Sequence, residues 1–200
     1  MALTVRDVMV TDLVTVGPTA TAREAYKLMR DRRFRHLPVL SGGRLIGILS
    51  DRDLRPVLLS PGLARARVAE LMSEELTTVA PEASVEEAAS LLVVKKIGCL
   101  PVLEGERLVG IVTETDLLAV LVELLGLLTQ STRLDVSVSG GPDTYERIVD
   151  IIRRHEGRII SVGAVPAVAG RTVFSVRLEP QDGRPIVTAL REAGFEVLTR

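Results

Sequence analysis

The spacing of apolar and polar residues changes several times along this chain, and each change marks an element. After Thr21, and again after Ser84, alanine and leucine recur at helical spacing. Each of these helices opens on a capping-box pattern, Thr21-x-x-Glu24 or Ser84-x-x-Glu87. A short strand ending in Thr15-Val16 or Thr78-Val79, then a proline, precedes each helix. Two apolar runs follow, His36 to Leu40 and Arg44 to Leu49. Ser41-Gly42-Gly43 divides them, which predicts a hairpin, and Glu104-Gly105-Glu106 stands at that place in the second copy. A further helix is predicted from Asp51 and from Glu114.

These two stretches are one pattern written twice. A shift of 63 positions aligns residues 5 to 54 with 68 to 117 without a gap, and about 21 of those pairs are identical. The identities include Met9 with Met72, Glu24 with Glu87, Leu37-Pro38-Val39 with Leu100-Pro101-Val102, Gly47 with Gly110, and Asp53 with Asp116. A β-α-β-β-α unit of about 60 residues buries too little surface to stand comfortably alone. The two copies are therefore expected to pack face to face with pseudo-two-fold symmetry, in an α/β (α+β) protein.

The pattern after about residue 132 is different. Leu134, Val136 and Val138 alternate, and a helical stretch runs from Tyr145 to His155. A strand spans Arg158 to Val168, and another carries Phe174, Val176 and Leu178 on one face. A helix from Pro185 to Ala193 and a last strand, Phe195 to Leu198, complete the order β-α-β-β-α-β. That order predicts a ferredoxin-like antiparallel sheet with two helices on one face. The linker is expected around Leu128 to Thr132. The stretch Leu117 to Leu128, oily nearly all round, is expected as a helix buried between repeats, domains or subunits.

Composition narrows the function classes. The 200 residues are 46% hydrophobic and 26% charged, with mean hydropathy +0.29, which fits folded domains. Basic and acidic residues, 25 against 26, leave a net charge of −1, and only 2% are aromatic. Both facts argue against a nucleic-acid-coating protein. No basic-then-apolar leader and no apolar run of about 18 residues is present, so the expectation is a cytoplasmic protein with no membrane span. One cysteine and two histidines make a metal site unexpected. Cys99, in an Ile-Gly-Cys-Leu-Pro run, reads as a core thiol. His155 suits a helix terminus, while Glu74-Glu75 and Glu86-Glu87 read as solvated partners of helix dipoles. No nucleophile-base pair, Walker loop or dinucleotide fingerprint assembles, so no catalytic residue is assigned and the chain is not expected to be an enzyme.

The candidate chemistry lies in the duplicated Gly-apolar-apolar-Ser/Thr-x-x-Asp: Gly47, Ser50 and Asp53, then Gly110, Thr113 and Asp116. Each hydroxyl sits where strand becomes helix, so free amides and the helix dipole favour a phosphate. The carboxylate one turn on can accept from both ribose hydroxyls. The same spacing is also an ordinary helix cap, which a structural repeat would keep without any ligand.

With these motifs in view, residues 1 to 130 resemble the tandem CBS domains, or Bateman module, with repeat one at about 1–60 and repeat two at about 64–128. The resemblance implies adenosine-containing ligands, of the AMP, ADP or ATP class, in clefts built from both repeats, with no cofactor required. It implies Asp53 and Asp116 on ribose and Ser50 and Thr113 on phosphate, with Arg52 and Thr115 close by. Arg35 and His36, or Gly98 and Cys99, would lie on the phosphate side of their own repeat's cleft. Thr15 and Thr78, with Val39 and Val102, would approach the base from the partner repeat. The Asp53 cleft would then be the arginine-rich one and the better home for a di- or triphosphate.

Residues 132–200 resemble an ACT domain by element order, which implies pairing of subunits and an amino acid or similar small molecule near Ser139 to Asp143. A turn capped by Asp143 or Thr144 is the alternative there. The whole layout is similar to bacterial acetoin-utilisation CBS proteins. The apolar stretch Leu117 to Leu128 makes a homodimer the expectation, and the whole reads as a regulatory protein acting on an unidentified target enzyme; the alternatives are a scaffold whose Ser/Thr-x-x-Asp motifs only cap helices and, behind it, a small enzyme acting on nucleotides.

Overall fold

The computed structural model describes residues 3–58, 65–139, 141, 143–166 and 171–198. The chain divides into two compact units, Met1–Leu118 and Ala119–Arg200. The first holds the duplicated elements as far as Leu118, within the last helix of repeat two. Repeat one has α1 (Val5–Val8), α2 (Ala22–Arg32), β1 (His36–Ser41), β2 (Arg44–Ser50) and α3 (Asp51–Leu58). Repeat two has α4 (Val68–Leu71), α5 (Val85–Lys95), β3 (Cys99–Glu104), β4 (Arg107–Thr113) and α6 (Glu114–Leu124). Every element of the second repeat begins 63 residues after its counterpart, as the Ala22 and Val85 starts show.

Each hairpin is antiparallel, with Ser41 opposite Arg44 and Glu104 opposite Arg107. Gly42 and Gly43 take φ of +56° and +81°, the left-handed pair that a two-residue turn demands. The expected strands at Thr15-Val16 and Thr78-Val79 shrink to single parallel bridges, Val16 to Val39 and Val79 to Val102. The caps also differ. Thr21 and Glu24 satisfy each other in a full capping box, whereas Ser84 accepts from the Glu87 amide without the reciprocal bond.

The repeats form one unit by exchanging their leading segments. Val68 is buried in the core of repeat one, with Ala22, Met29, Leu37, Leu49 and Leu54, and Met72 packs on that cluster. Val5 is buried in the core of repeat two, with Ala88, Leu92, Leu100, Val112 and Leu117, and Met9 packs there. Backbone bridges seal the exchange, Ile48 to Ser73 and Val10 to Ile111. The identities Gly47/Gly110 and Met9/Met72 follow from this. A Cβ on Gly47 would meet the Met72 side chain and, at 3.1 Å, the Ser73 carbonyl, and one on Gly110 would meet Met9. Only a glycine admits so close an approach.

In the second unit come β5 (Thr132–Val138), α7 (Thr144–Arg154), β6 (Ile159–Pro166), β7 (Thr172–Leu178), α8 (Arg184–Glu192) and β8 (Glu196–Leu198). The strands form one antiparallel sheet in the order β6-β7-β5-β8. Leu134, Val136, Val176 and Leu178 from the sheet share a core with Ile148 and Ile152 of α7 and Ile186 and Leu190 of α8. Both helices therefore cover one face. Asp143 is the N-cap residue of α7 but makes no side-chain cap bond. Gly140 and Pro142 of the expected ligand loop lie outside the described residues, as do Val168, Ala169 and Gly170.

The oily stretch does not continue as helix to Leu128. Gly126, at φ +61°, closes α6 in a Schellman turn, with the Leu127 amide on the Val122 carbonyl and the Gly126 amide on that of Glu123. Within the single chain Leu117 is buried in the core of repeat two, while Leu118, Leu121 and Leu124 are 58%, 54% and 63% exposed. No described helix is long and apolar enough to cross a membrane.

Candidate functional site

Two clefts of about 260 and 320 Å3 open between the repeats of the first unit. Ser50, Arg52 and Asp53 line one, and Thr113, Thr115 and Asp116 line the other. Each cleft therefore draws its hydroxyl and carboxylate from the β2-α3 or β4-α6 junction. The facing wall comes from the partner repeat: Lys96 to Cys99 and Pro101 opposite Asp53, and Arg33 to His36 and Pro38 opposite Asp116.

At both junctions the motif makes the same local structure. Asp53 Oδ2 accepts from the Ser50 amide at 2.8 Å and the Ser50 hydroxyl at 2.6 Å, and Asp116 Oδ2 accepts from Thr113 at the same distances. The carboxylate thus caps its helix through one oxygen. The second oxygen of each accepts no hydrogen bond among the described residues. Capping therefore leaves the other carboxylate oxygen open to a further donor.

Several expected placements are corrected. Gly98 and Cys99 line the Asp53 cleft rather than the Asp116 cleft, because the start of β3 abuts the β2-α3 junction of the other repeat. Arg35 and His36 line both clefts, not the Asp53 cleft alone. Val39 and Val102 are fully buried in the repeat cores and touch neither cleft. Side chains alternate across a strand, so their neighbours Pro38 and Pro101 face the clefts instead. Thr15 and Thr78 also stand outside both. The residues just before them, Leu13 and Val14, or Leu76 and Thr77, line the walls. Glu75, expected as a solvated loop residue, lines the Asp53 cleft, and its counterpart Asp12 lines the other.

The charges no longer mark a single arginine-rich cleft. Arg35, Arg52 and Lys96 face Asp51, Asp53, Glu75 and Glu114 in one, and Arg33 and Arg35 face Asp12 and Asp116 in the other. Neither Arg33 nor Lys96 was among the expected cleft residues. Each ends its helix in the left-handed region, at φ 59° and 55°, where glycine is the usual residue. A basic residue at the same place in both copies, just after the last helical turn, was the available signal.

Burial, reinforced by Arg35, pushes the His36 imidazole below its usual value, against the pull of Asp51 and Glu114. Its ring is therefore neutral at pH 7. Cys99 is buried and its thiol is pushed up to about 12, so it is a core thiol and no nucleophile at neutral pH. Among the described residues no group of three His, Cys, Asp or Glu side chains converges on a metal position.

The CBS domain model matches residues 5–60 and 68–123. The chain is 38% identical over 114 residues to the CBS domain-containing protein YhcV of Bacillus subtilis, covering 56% of this chain and 81% of that one. A Vibrio cholerae chain that carries the name acetoin utilization protein (AcuB) superposes with a TM-score of 0.58 at 34% identity, over 66% of this chain and 99% of that one. CBSX2, solved in complex with AMP, superposes with a TM-score of 0.55 at 27% identity, over 60% of this chain and 97% of its own. The chain belongs to the CBS-domain family and carries two copies of that domain in tandem.

Proposed function

We propose that this protein is a regulatory sensor of an adenosine nucleotide of the AMP, ADP or ATP class, which it holds between its CBS repeats over about residues 1–130. The observation that carries the reading is that both clefts present the same set. Each has a hydroxyl, a carboxylate with one oxygen uncommitted among the described residues, a proline wall and cations that form no ion pair among the described residues. In this reading Asp53 and Asp116 accept from ribose, while Ser50, Thr113 and the helix starts receive phosphate. Arg52 and Thr115 stand one residue from those carboxylates. The AMP complex of CBSX2 supports the ligand class. No catalytic step is assigned. A ligand that holds the two repeats at one mutual angle better than another shifts that equilibrium, which is the regulatory output.

Residues 132–200 are assigned in the same reading to an ACT-like domain that pairs subunits into a homodimer or senses an amino acid or similar small molecule. The β-α-β-β-α-β order and the β6-β7-β5-β8 sheet support this. A scaffold without nucleotide is the competing reading, favoured by the hydrogen bonds that make Asp53 and Asp116 caps.

Thermal melting with AMP, ADP, ATP and S-adenosylmethionine separates the two. A ligand at a hundredfold its Kd adds about 2.7 kcal/mol. The nucleotide reading expects a shift that Asp53→Ala or Asp116→Ala removes. The scaffold reading expects both variants to melt lower and no compound to move the midpoint.

A further inference from the structure

Among the described residues that line the two clefts, Arg35 and His36 alone are common to both. The duplication supplies no second pair: their counterparts are Gly98 and Cys99, one without a side chain and the other a buried thiol. The module therefore has two phosphate-competent clefts and one Arg-His pair between them.

The local geometry makes that pair a joint. A Cβ on Gly98 would lie 2.9 Å from two atoms of the His36 ring and 3.9 Å from Glu114 Oε2, so the absent side chain leaves the space the imidazole uses. The Arg35 carbonyl accepts from the Asp51 amide at 2.9 Å, tying this backbone to the residue after Ser50. The Gly98 carbonyl accepts from the Glu114 amide in the same way at the other junction. The Arg35 side chain is exposed and forms no ion pair among the described residues. Its guanidinium is a permanent charge with nothing holding it to one side.

We propose that Arg35, with His36 behind it, couples the two clefts negatively, so that a nucleoside phosphate bound in one weakens the binding of a nucleoside phosphate in the other. One guanidinium cannot make its charge-assisted hydrogen bonds to two phosphates in separate clefts at full strength. The first phosphate recruits it, and the second meets a cleft stripped of its shared cation. A nucleoside without phosphate makes no claim on Arg35 and is indifferent to occupancy next door. The favoured doubly loaded state is then a mixed one. This inference rests on the nucleotide reading above.

Calorimetric titration of the full chain tests it with AMP and adenosine as the probes. The wild type is expected to bind AMP in two events, the weaker about tenfold below the constant of the same cleft measured alone in Asp53→Ala or Asp116→Ala. Adenosine, titrated into the wild type and needing no variant, is expected to fill both clefts independently. In Arg35→Ala, an exposed substitution, AMP binds less tightly but the two events become independent. Independent AMP events in the wild type, or coupling unchanged in Arg35→Ala, overturn the shared-arginine mechanism alone. The absence of any AMP or adenosine binding overturns the nucleotide reading and the coupling with it.

Discussion

The imidazole of His36 rests beside the backbone of Gly98, so closely that a methyl group there would come within 2.9 Å of its Cε1 and Nε2 atoms. One repeat's side chain thus occupies a space that the other leaves empty, at the place where both clefts share a wall.

Gly98→Ala is therefore expected to cost about 1–3 kcal/mol of stability, as overpacking does, and to disturb both clefts at once. Urea unfolding checks the first part. His36→Ala in the Gly98→Ala background should recover most of the loss, and a double-mutant cycle without coupling between the two positions refutes the contact.

Arg33 and Lys96 hold left-handed backbone at helix ends, where a Cβ carries a penalty that glycine lacks. Arg33→Gly and Lys96→Gly should each raise stability by about 1 kcal/mol while weakening AMP, at the Asp116 and the Asp53 cleft respectively. Opposite movement of the melting midpoint and the binding constant is the expected pattern. If affinity is unchanged, these cations are surface charges only.

The pH dependence follows from His36. Its folded pKa lies below the unfolded value of about 6.5. Its contribution is fully present above that value and is lost as pH falls through the lowered folded value. Burial is the main cause, with Arg35 and Arg52 adding to it and Asp51 and Glu114 opposing it. His36→Asn should flatten the acid limb of the stability curve below about pH 6.5. An acid limb identical in the two proteins contradicts it.

Cys99, buried at the start of β3 with its thiol pushed up to about 12, should resist a disulfide reagent such as DTNB in the native protein at pH 8. It should titrate as one thiol on unfolding. Fast native labelling would show that the β3 edge opens.

The sequence by itself determined the local elements and their duplication. Helix starts at Thr21 and Ser84, the Gly42-Gly43 turn and the matching junctions at Ser50-Asp53 and Thr113-Asp116 rest on interactions spanning a few residues, so spacing exposes them. The alternation of Leu134, Val136 and Val138 likewise marked the sheet of the second unit. Only tertiary structure decided which repeat faces which cleft. Exchange of the leading segments, with Val68 in the core of repeat one and Val5 in that of repeat two, turns Gly98 and Cys99 toward Asp53 and sets Arg35 and His36 between both clefts. A pattern that repeats every 63 residues is the same whether each copy closes on itself or on its neighbour. The burial that distinguishes the two arrangements arises from contacts between residues far apart in the chain, which local periodicity does not encode.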